Sequence, residues 1–198
     1  MKKIISILIL TAIAVLVFFT IILATSVMET ERFNNIISKK ISKTNSYINL
    51  KLTTIKFKLD IKEMSLFLET SEPEINYRDI TIPTKKIKVY IDFASIIKTN
   101  PKIKKINLSL EEMDIEKIKK LSIAFKPSNF TSFVNNKIKE GKLNTELEVY
   151  LDDNYLLKNY IARGTVKDFK AEVIKNINLE ETNFSFFADK TDVIIKNI

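Results

Sequence analysis

The chain has no cysteine, no histidine and no tryptophan, and only two glycines in 198 residues. Without cysteine there are no disulfides, thiolate metal sites or thiol nucleophiles, and without histidine the commonest general base and metal ligand is gone. Much of enzyme chemistry is closed, and the expectation is a protein that is not an enzyme and carries no cofactor or metal. A chain without thiols fits reducing and oxidising compartments alike. Also missing is any run of five like charges that would mark a nucleic-acid or membrane-binding tail. Lys+Arg 32 against Asp+Glu 24 gives a net charge of +8. The abundance of Ile, Lys and Asn beside so little Gly matches the codon bias of an AT-rich genome, so this balance is not read as a nucleic-acid surface.

What is present begins with one long apolar run. Between Lys3 and Glu29 there is no charged residue. The segment Ile4 to Met28 would span about 37 Å as a helix, against a hydrocarbon core of about 30 Å. Lys2-Lys3 followed by small residues at Ala24-Thr25-Ser26 also suits a cleaved signal peptide, but signal cores run to only about 7–15 apolar residues. An uncleaved anchor over 1–28 is the expectation. Orientation is less direct, because Lys2 and Lys3 precede the run while Arg32, Lys39, Lys40 and Lys43 follow it. A long following domain translocates largely regardless of its charge, which favours export of everything beyond the anchor.

Past the anchor, over 29–45, Phe33, Ile36, Ile37 and Ile41 recur at helical spacing opposite Glu31, Arg32, Lys39 and Lys40. This predicts an amphipathic helix that lies on headgroups or covers the end of a sheet. From Ser46 the period becomes 2: Ile48, Leu50 and Leu52, a phase shift at Thr53-Thr54, then Ile55, Phe57, Leu59 and Ile61. Such a shift is what a bulge or bend within a strand produces. Shorter alternating pieces follow at Ser65–Leu68, Ile75–Tyr77 and Ile80–Ile82. In Lys86–Phe93 one face carries Ile87, Val89, Ile91 and Phe93. The other carries Lys86, Lys88, Tyr90 and Asp92. A helical turn at Ala94–Lys98 precedes a strand through Ile106, Leu108 and Leu110.

Helices are expected over Asp114–Leu121, with Asp114 as N-cap, and over Ser128–Lys139, with Gly141 as C-cap. Leu143, Leu147, Val149 and Leu151 then open a meander continued near Tyr160–Val166, Lys170–Asn176, Asn183–Ala188 and Asp192–Lys196. Sequential short strands make an antiparallel sheet. The fold class is therefore mainly β with short helices (α+β): an N-terminal transmembrane helix, then a β-rich domain over 46–198.

Local motifs for chemistry are weak. Glu111-Glu112, Asp152-Asp153 and Glu180-Glu181 are adjacent acidic pairs, and neighbours on a strand point to opposite faces, so they make poor acid–base pairs. Asp152-Asp153-Asn154 reads as a turn. Gly141-Lys142 lacks the upstream glycine and following hydroxyl of a phosphate loop. The mixture of aromatic and lysine residues around Lys86–Phe93 reads as an amphipathic strand.

The order of parts resembles the N-terminal region of the AsmA-like family, the AsmA, TamB and YhdP group. The resemblance rests on an anchor, an amphipathic helix, the kinked strand INLKLTTIKFKLD, and KIKVYIDFASIIKTNPKIKKINLSL, where a strand ends in Asp-Phe and a turn carries Ile96-Ile97. It is carried further by ARGTVKDFKAEV, similar to a recurrent Gly-x-Val-x-Asp pattern, and by NLEETNFSFFAD. It implies a curved antiparallel sheet forming a groove, single-pass anchorage in the bacterial inner membrane with the C-terminal domain in the periplasm, and phospholipid moving along the groove toward the outer membrane. Its implied partners are the bilayer, transported phospholipids and envelope proteins at the sheet edges. The candidate lipid-facing residues are Ile87, Val89, Ile91, Phe93, Leu147, Val149, Leu151, Phe184 and Phe186. Alternation alone suits a lipid groove and a closed, filled sandwich equally, and the latter would make the chain a structural or scaffolding module of an envelope complex. Family members are several times longer, so the chain is expected to be the front piece of a longer protein or a short relative with another task.

Overall fold

The computed structural model describes all residues except 1, 26–27, 33, 45, 61–64, 93, 96–101, 125–128, 153, 155, 175–176 and 198. The chain begins with helix α1, Lys2–Thr25. Its stretch Lys3–Ile22 is long and apolar enough to cross a membrane. The side chains from Ile4 to Phe18 are exposed, with Leu10 at 70% and Phe18 at 62%, so this is not the core helix of a soluble domain. Thr11 and Thr20 donate their hydroxyls to the carbonyls of Ile7 and Leu16 one turn back, which takes these two donors out of the apolar surface.

The helix stops short of the expected Met28. Met28–Thr30 is instead strand β1, paired antiparallel with β3, Ile55–Asp60, so that Met28 faces Phe57 and Thr30 faces Ile55. The reason is the backbone need of β3, whose outer edge β1 closes, with Glu29 holding Lys56 at 3.1 Å. The amphipathic helix is correspondingly shorter: α2 covers Asn34–Thr44. Ile37 and Ile41 face inward and Ile36 is 63% exposed. The helix packs on β2, Ile48–Lys51.

The phase shift at Thr53-Thr54 is a change of sheet. β2 belongs to a three-stranded sheet with β5, Glu74–Tyr77, and β6, Ile80–Ile82. β3 begins the large sheet. That sheet has ten antiparallel strands in the order β1-β3-β4-β7-β8-β10-β11-β12-β13, with β9 also on β10. The remaining ranges are β4 Ser65–Ser71, β7 Thr84–Asp92, β8 Ile103–Leu110, β9 Met113–Asp114, β10 Ile138–Leu151, β11 Leu157–Ile174, β12 Ile177–Asp189 and β13 Val193–Lys196. Nearly every connection is short, as expected of a meander.

Two helices interrupt it between β9 and β10. Helix α3, Ile115–Ala124, starts on Asp114, whose Oδ1 accepts the Lys117 N–H at 2.9 Å as an N-cap should. Helix α4, Asn129–Lys137, runs straight into β10. Gly141 is therefore no C-cap. It lies inside β10 with φ 152°.

The two strands expected at Tyr160–Val166 and Lys170–Asn176 are one, β11. The polar residues between them form a bulge: Asp168 has φ 52° and its N–H finds the Asn183 side chain at 3.0 Å. A second bulge on β12 has Glu181 at φ 52°. Each absorbs one extra residue, so that Val166, Phe169 and Ala171 stay on one face opposite Phe184, Thr182 and Leu179.

Fully buried apolar side chains gather at one end of the large sheet. Ile55, Met113 and Ala171 on its apolar face, Leu50 of the small sheet, Ile115 of α3 and Val134 of α4 are all below 9% exposed. Helices α3 and α4 pack there against β9, β10 and β11. Leu59, Ser65 and Ser95 are buried at the opposite end.

Candidate functional site

Residues opposite each other in an antiparallel pair share a face, so the registers assemble the large sheet's apolar side row by row. One row runs Met28, Phe57, Leu68, Val89, Ile106, Val149, Tyr160. Beside it runs Ile55, Thr70, Ile87, Leu108, Leu147, Ala162, Ala188, Val193. On the other flank, Leu59, Leu66, Ile91 and Ile103 align. Two shorter rows, Leu143–Val166–Phe184 and Thr145–Gly164–Phe186–Ile195, complete the surface. Among the described residues, these rows hold no charged side chain.

Of the nine candidate residues, Phe93 lies outside the described residues. The other eight occupy this one face. Ile87 and Val89 of β7 meet Leu147 and Val149 of β10 through Leu108 and Ile106 of the intervening strand. Phe184 and Phe186 stand further along the sheet. Phe184 meets Phe169 edge to face, ring centroids 5.3 Å apart. Phe186 reaches over Gly164. A Cβ there would stand 3.0 Å from Phe186 Cε1 and 3.0 Å from Thr145 Cα, and would collide with the Asn144 carbonyl oxygen.

Between the buried ends the face is half-open. Phe57, Leu68, Val89, Ile106, Val149 and Tyr160 are all half-buried, and Met28 at the margin is 54% exposed. Sequence alternation assigned the right period to several of these, and named Phe57, Ile106 and Leu108 as apolar strand positions, but Phe57, Leu68, Ile106, Leu108 and Ala162 were not among the lipid-facing candidates. Their membership depends on register, which the sequence does not print.

The opposite face is closed by charge and aromatic contacts. Lys88 lies 3.9 Å from the Phe67 ring centroid, Lys105 lies 4.5 Å from that of Tyr90, and the two rings are 6.0 Å apart. Glu69 receives Lys86 at 3.4 Å, and Arg163 holds Glu148 at 2.9 Å. Exposed pairs of this kind contribute little stability each.

The adjacent acidic pairs do not converge. Asp152 Oδ1 accepts the N–H groups of Asn154 and Leu156 in a turn, as expected. Glu111 and Glu112 are exposed between β8 and β9, and Glu180 and Glu181 sit at the β12 bulge. Among the described residues no group of three acidic, histidine or cysteine side chains is placed to hold a metal. The Asp189 carboxyl is held below its usual range by the backbone N–H groups of Thr191 and Asp192 and by the Thr191 hydroxyl. Lys170 is pushed up by its hydrogen bond to Glu140, 2.9 Å away.

A polar cleft of about 530 Å³ lies at the β5–β6 turn, lined by Ser46, Tyr47, Asn49, Asn76, Arg78 and Asp79. Arg78 stacks 4.6 Å from the Tyr47 ring centroid and donates to the carbonyl of Ala124, the last residue of α3, at 3.0 Å. This contact joins the small sheet to a helix end.

The fold and surface together define an antiparallel β-sheet domain carrying an N-terminal apolar helix and an uncharged, half-open apolar face. Comparison with family models, curated proteins and solved structures gave no match.

Proposed function

We propose that the chain is a membrane-anchored, lipid-handling protein of the AsmA-like kind. In this reading α1 is a single-pass anchor in a bacterial inner membrane, and the β-domain lies in the periplasm. The apolar face takes the acyl chains of phospholipid bound for the outer membrane. One observation carries it: an uncharged apolar surface that stays half-open across the middle of the sheet, with its margin at Met28 three residues beyond the end of α1. An acyl chain laid on such a face gains about 0.8 kcal/mol for each methylene removed from water. No reaction is assigned to the chain.

The test is a photoactivatable residue at Val149 or Ile91 in cells. Phospholipid recovered from both adducts is the expected result, and recovery from neither position removes the groove. A second reading, a scaffold of an envelope complex that binds no lipid, draws on the exposed edge strand β13, which would receive a protein partner. It expects protein adducts at β13 and no lipid adducts at Val149 or Ile91.

A further inference from the structure

Among the described residues no strand lies outside β13. Val193, Ile194 and Ile195 are 69%, 46% and 50% exposed. An edge strand that is apolar on both faces is a template for another strand. The opposite margin, β1, is only three residues long and ties Glu29 to Lys56. The direction of the free backbone groups of β13 follows from its turn. The Asp192 carbonyl accepts the Asp189 N–H at 2.9 Å, and the Asp192 N–H donates to Asp189 Oδ1 at 2.9 Å, so residue 192 faces inward. Backbone groups alternate along an antiparallel strand, so Ile194 and Lys196 also face inward, toward Phe187 and Ser185, and Val193 and Ile195 face outward.

We propose that a second copy of this chain pairs antiparallel with β13 about a two-fold axis through Ile194. Outward groups must meet outward groups, so Val193 faces Ile195 of the second copy and Ile195 faces its Val193, each forming two backbone hydrogen bonds. The same register sets Ile194 against its counterpart and Asp192 against Lys196 of the second copy, twice over. A slip of two residues in either direction puts Ile194 opposite one of these charges, so the centred register alone pairs them. Lys196 makes no ion pair among the described residues and is available for this one.

An axis perpendicular to the sheet keeps like faces on the same side. The Val193 row of each copy then continues into the Ile195 row of the other, and the apolar face runs unbroken from β1 of one copy to β1 of the other. On the membrane-anchored reading, both α1 helices enter one bilayer when this axis lies along the bilayer normal.

The chain has no cysteine, so single-cysteine variants report contacts without background. Residues 194 face each other as a non-hydrogen-bonded pair with Cα atoms about 4.5 Å apart, within disulfide reach. The full chain in detergent micelles should give at least fivefold more oxidised dimer with Ile194→Cys than with Glu29→Cys at the opposite edge. Asp192→Lys and Lys196→Asp should each weaken dimerisation, measured by light scattering, about fivefold, and the double reversal should restore it. Ile195→Pro removes an outward N–H without touching the β12 ladder and should leave a monomer of unchanged thermal midpoint. A monomeric mass for the unmodified chain at every concentration overturns the proposal. So does equal cross-linking at the two edges, stronger cross-linking at Val193→Cys or Lys196→Cys than at Ile194→Cys, or charge reversals without effect on association.

Discussion

At the scale of single residues, the two glycines serve different needs. Gly164 is a matter of space, because any Cβ there meets the Asn144 carbonyl and the Phe186 ring. Gly141 is a matter of backbone, with φ 152° and a Cβ that would meet Phe169 Cδ2 at an ordinary 3.5 Å. Overpacking costs about 1–3 kcal/mol, and a backbone obstacle cannot rotate away, so Gly164→Ala should lose about 3 kcal/mol in urea unfolding. Gly141→Ala should lose about 1–2 kcal/mol, the cost of a disfavoured φ. Equal losses at the two sites would contradict this division. The β5–β6 turn offers a gain. Arg78 and Asp79 both have positive φ, at 47° and 65°, in a turn of the kind that favours Asn-Gly. Asp79→Gly should raise stability by about 1 kcal/mol. Arg78→Ala should lower it by about 1 kcal/mol, since the guanidinium satisfies the terminal carbonyl of α3 and stacks on Tyr47. Thermal unfolding of both variants distinguishes a strained clip from an indifferent loop.

Elements were legible from the sequence where period and chemistry agreed. The β7 alternation, the Asp114 cap and the Asp152 turn are each fixed by neighbours within a few positions, and each stands in the structure as expected. What failed depended on partners far along the chain. The break at Thr53-Thr54 is a change of sheet because β2 pairs with β5 and β3 with β4. Lys167-Asp168 resembles a turn in composition, yet with Asn183 across from it the bulged N–H is satisfied and the strand continues. The apolar face was half legible for the same reason: alternation supplies parity, and register decides which parities meet. The β12–β13 turn gives a prediction at this scale. Asp189 accepts the N–H groups of Thr191 and Asp192, which favours its ionised form and lowers its pKa from the usual 3.8. A depressed carboxyl contributes stability that is complete above the unfolded value and lost as pH falls through the folded value. Amide exchange at Thr191 and Asp192 should therefore accelerate, relative to amides elsewhere in the sheet, as pH falls below 3.8. In Asp189→Asn that acid-side change should vanish. Identical pH profiles for the two proteins would refute the clamp.

The molecule as a whole divides its apolar side chains between a closed end and an open face, and this division gives the lipid reading a thermodynamic test. Val134 is 1% exposed beneath α4, whereas Val89 is half-buried in the middle of the sheet. Removing two buried methyl groups costs the transfer term plus the cavity left behind, so Val134→Ala should lose about 2–3 kcal/mol. Val89→Ala leaves no closed cavity and should lose less than about 1 kcal/mol. Ligand binding to the folded state alone stabilises by RT ln(1 + [L]/Kd), about 2.7 kcal/mol at a hundredfold excess over Kd. On the lipid-handling reading, adding short-chain phospholipid to the detergent-solubilised chain should raise the thermal midpoint of the unmodified protein. Val134→Ala, less stable from the outset, should keep the full increment, because its defect lies under α4 and away from the open rows. Val89→Glu should lose the increment, because a carboxylate in the row from Met28 to Tyr160 would have to be desolvated by each acyl chain laid across it. If phospholipid shifts the midpoints of all three proteins equally, the lipid is acting on α1 or on the micelle. If it shifts none, the open face takes no phospholipid, and the scaffold reading takes its place.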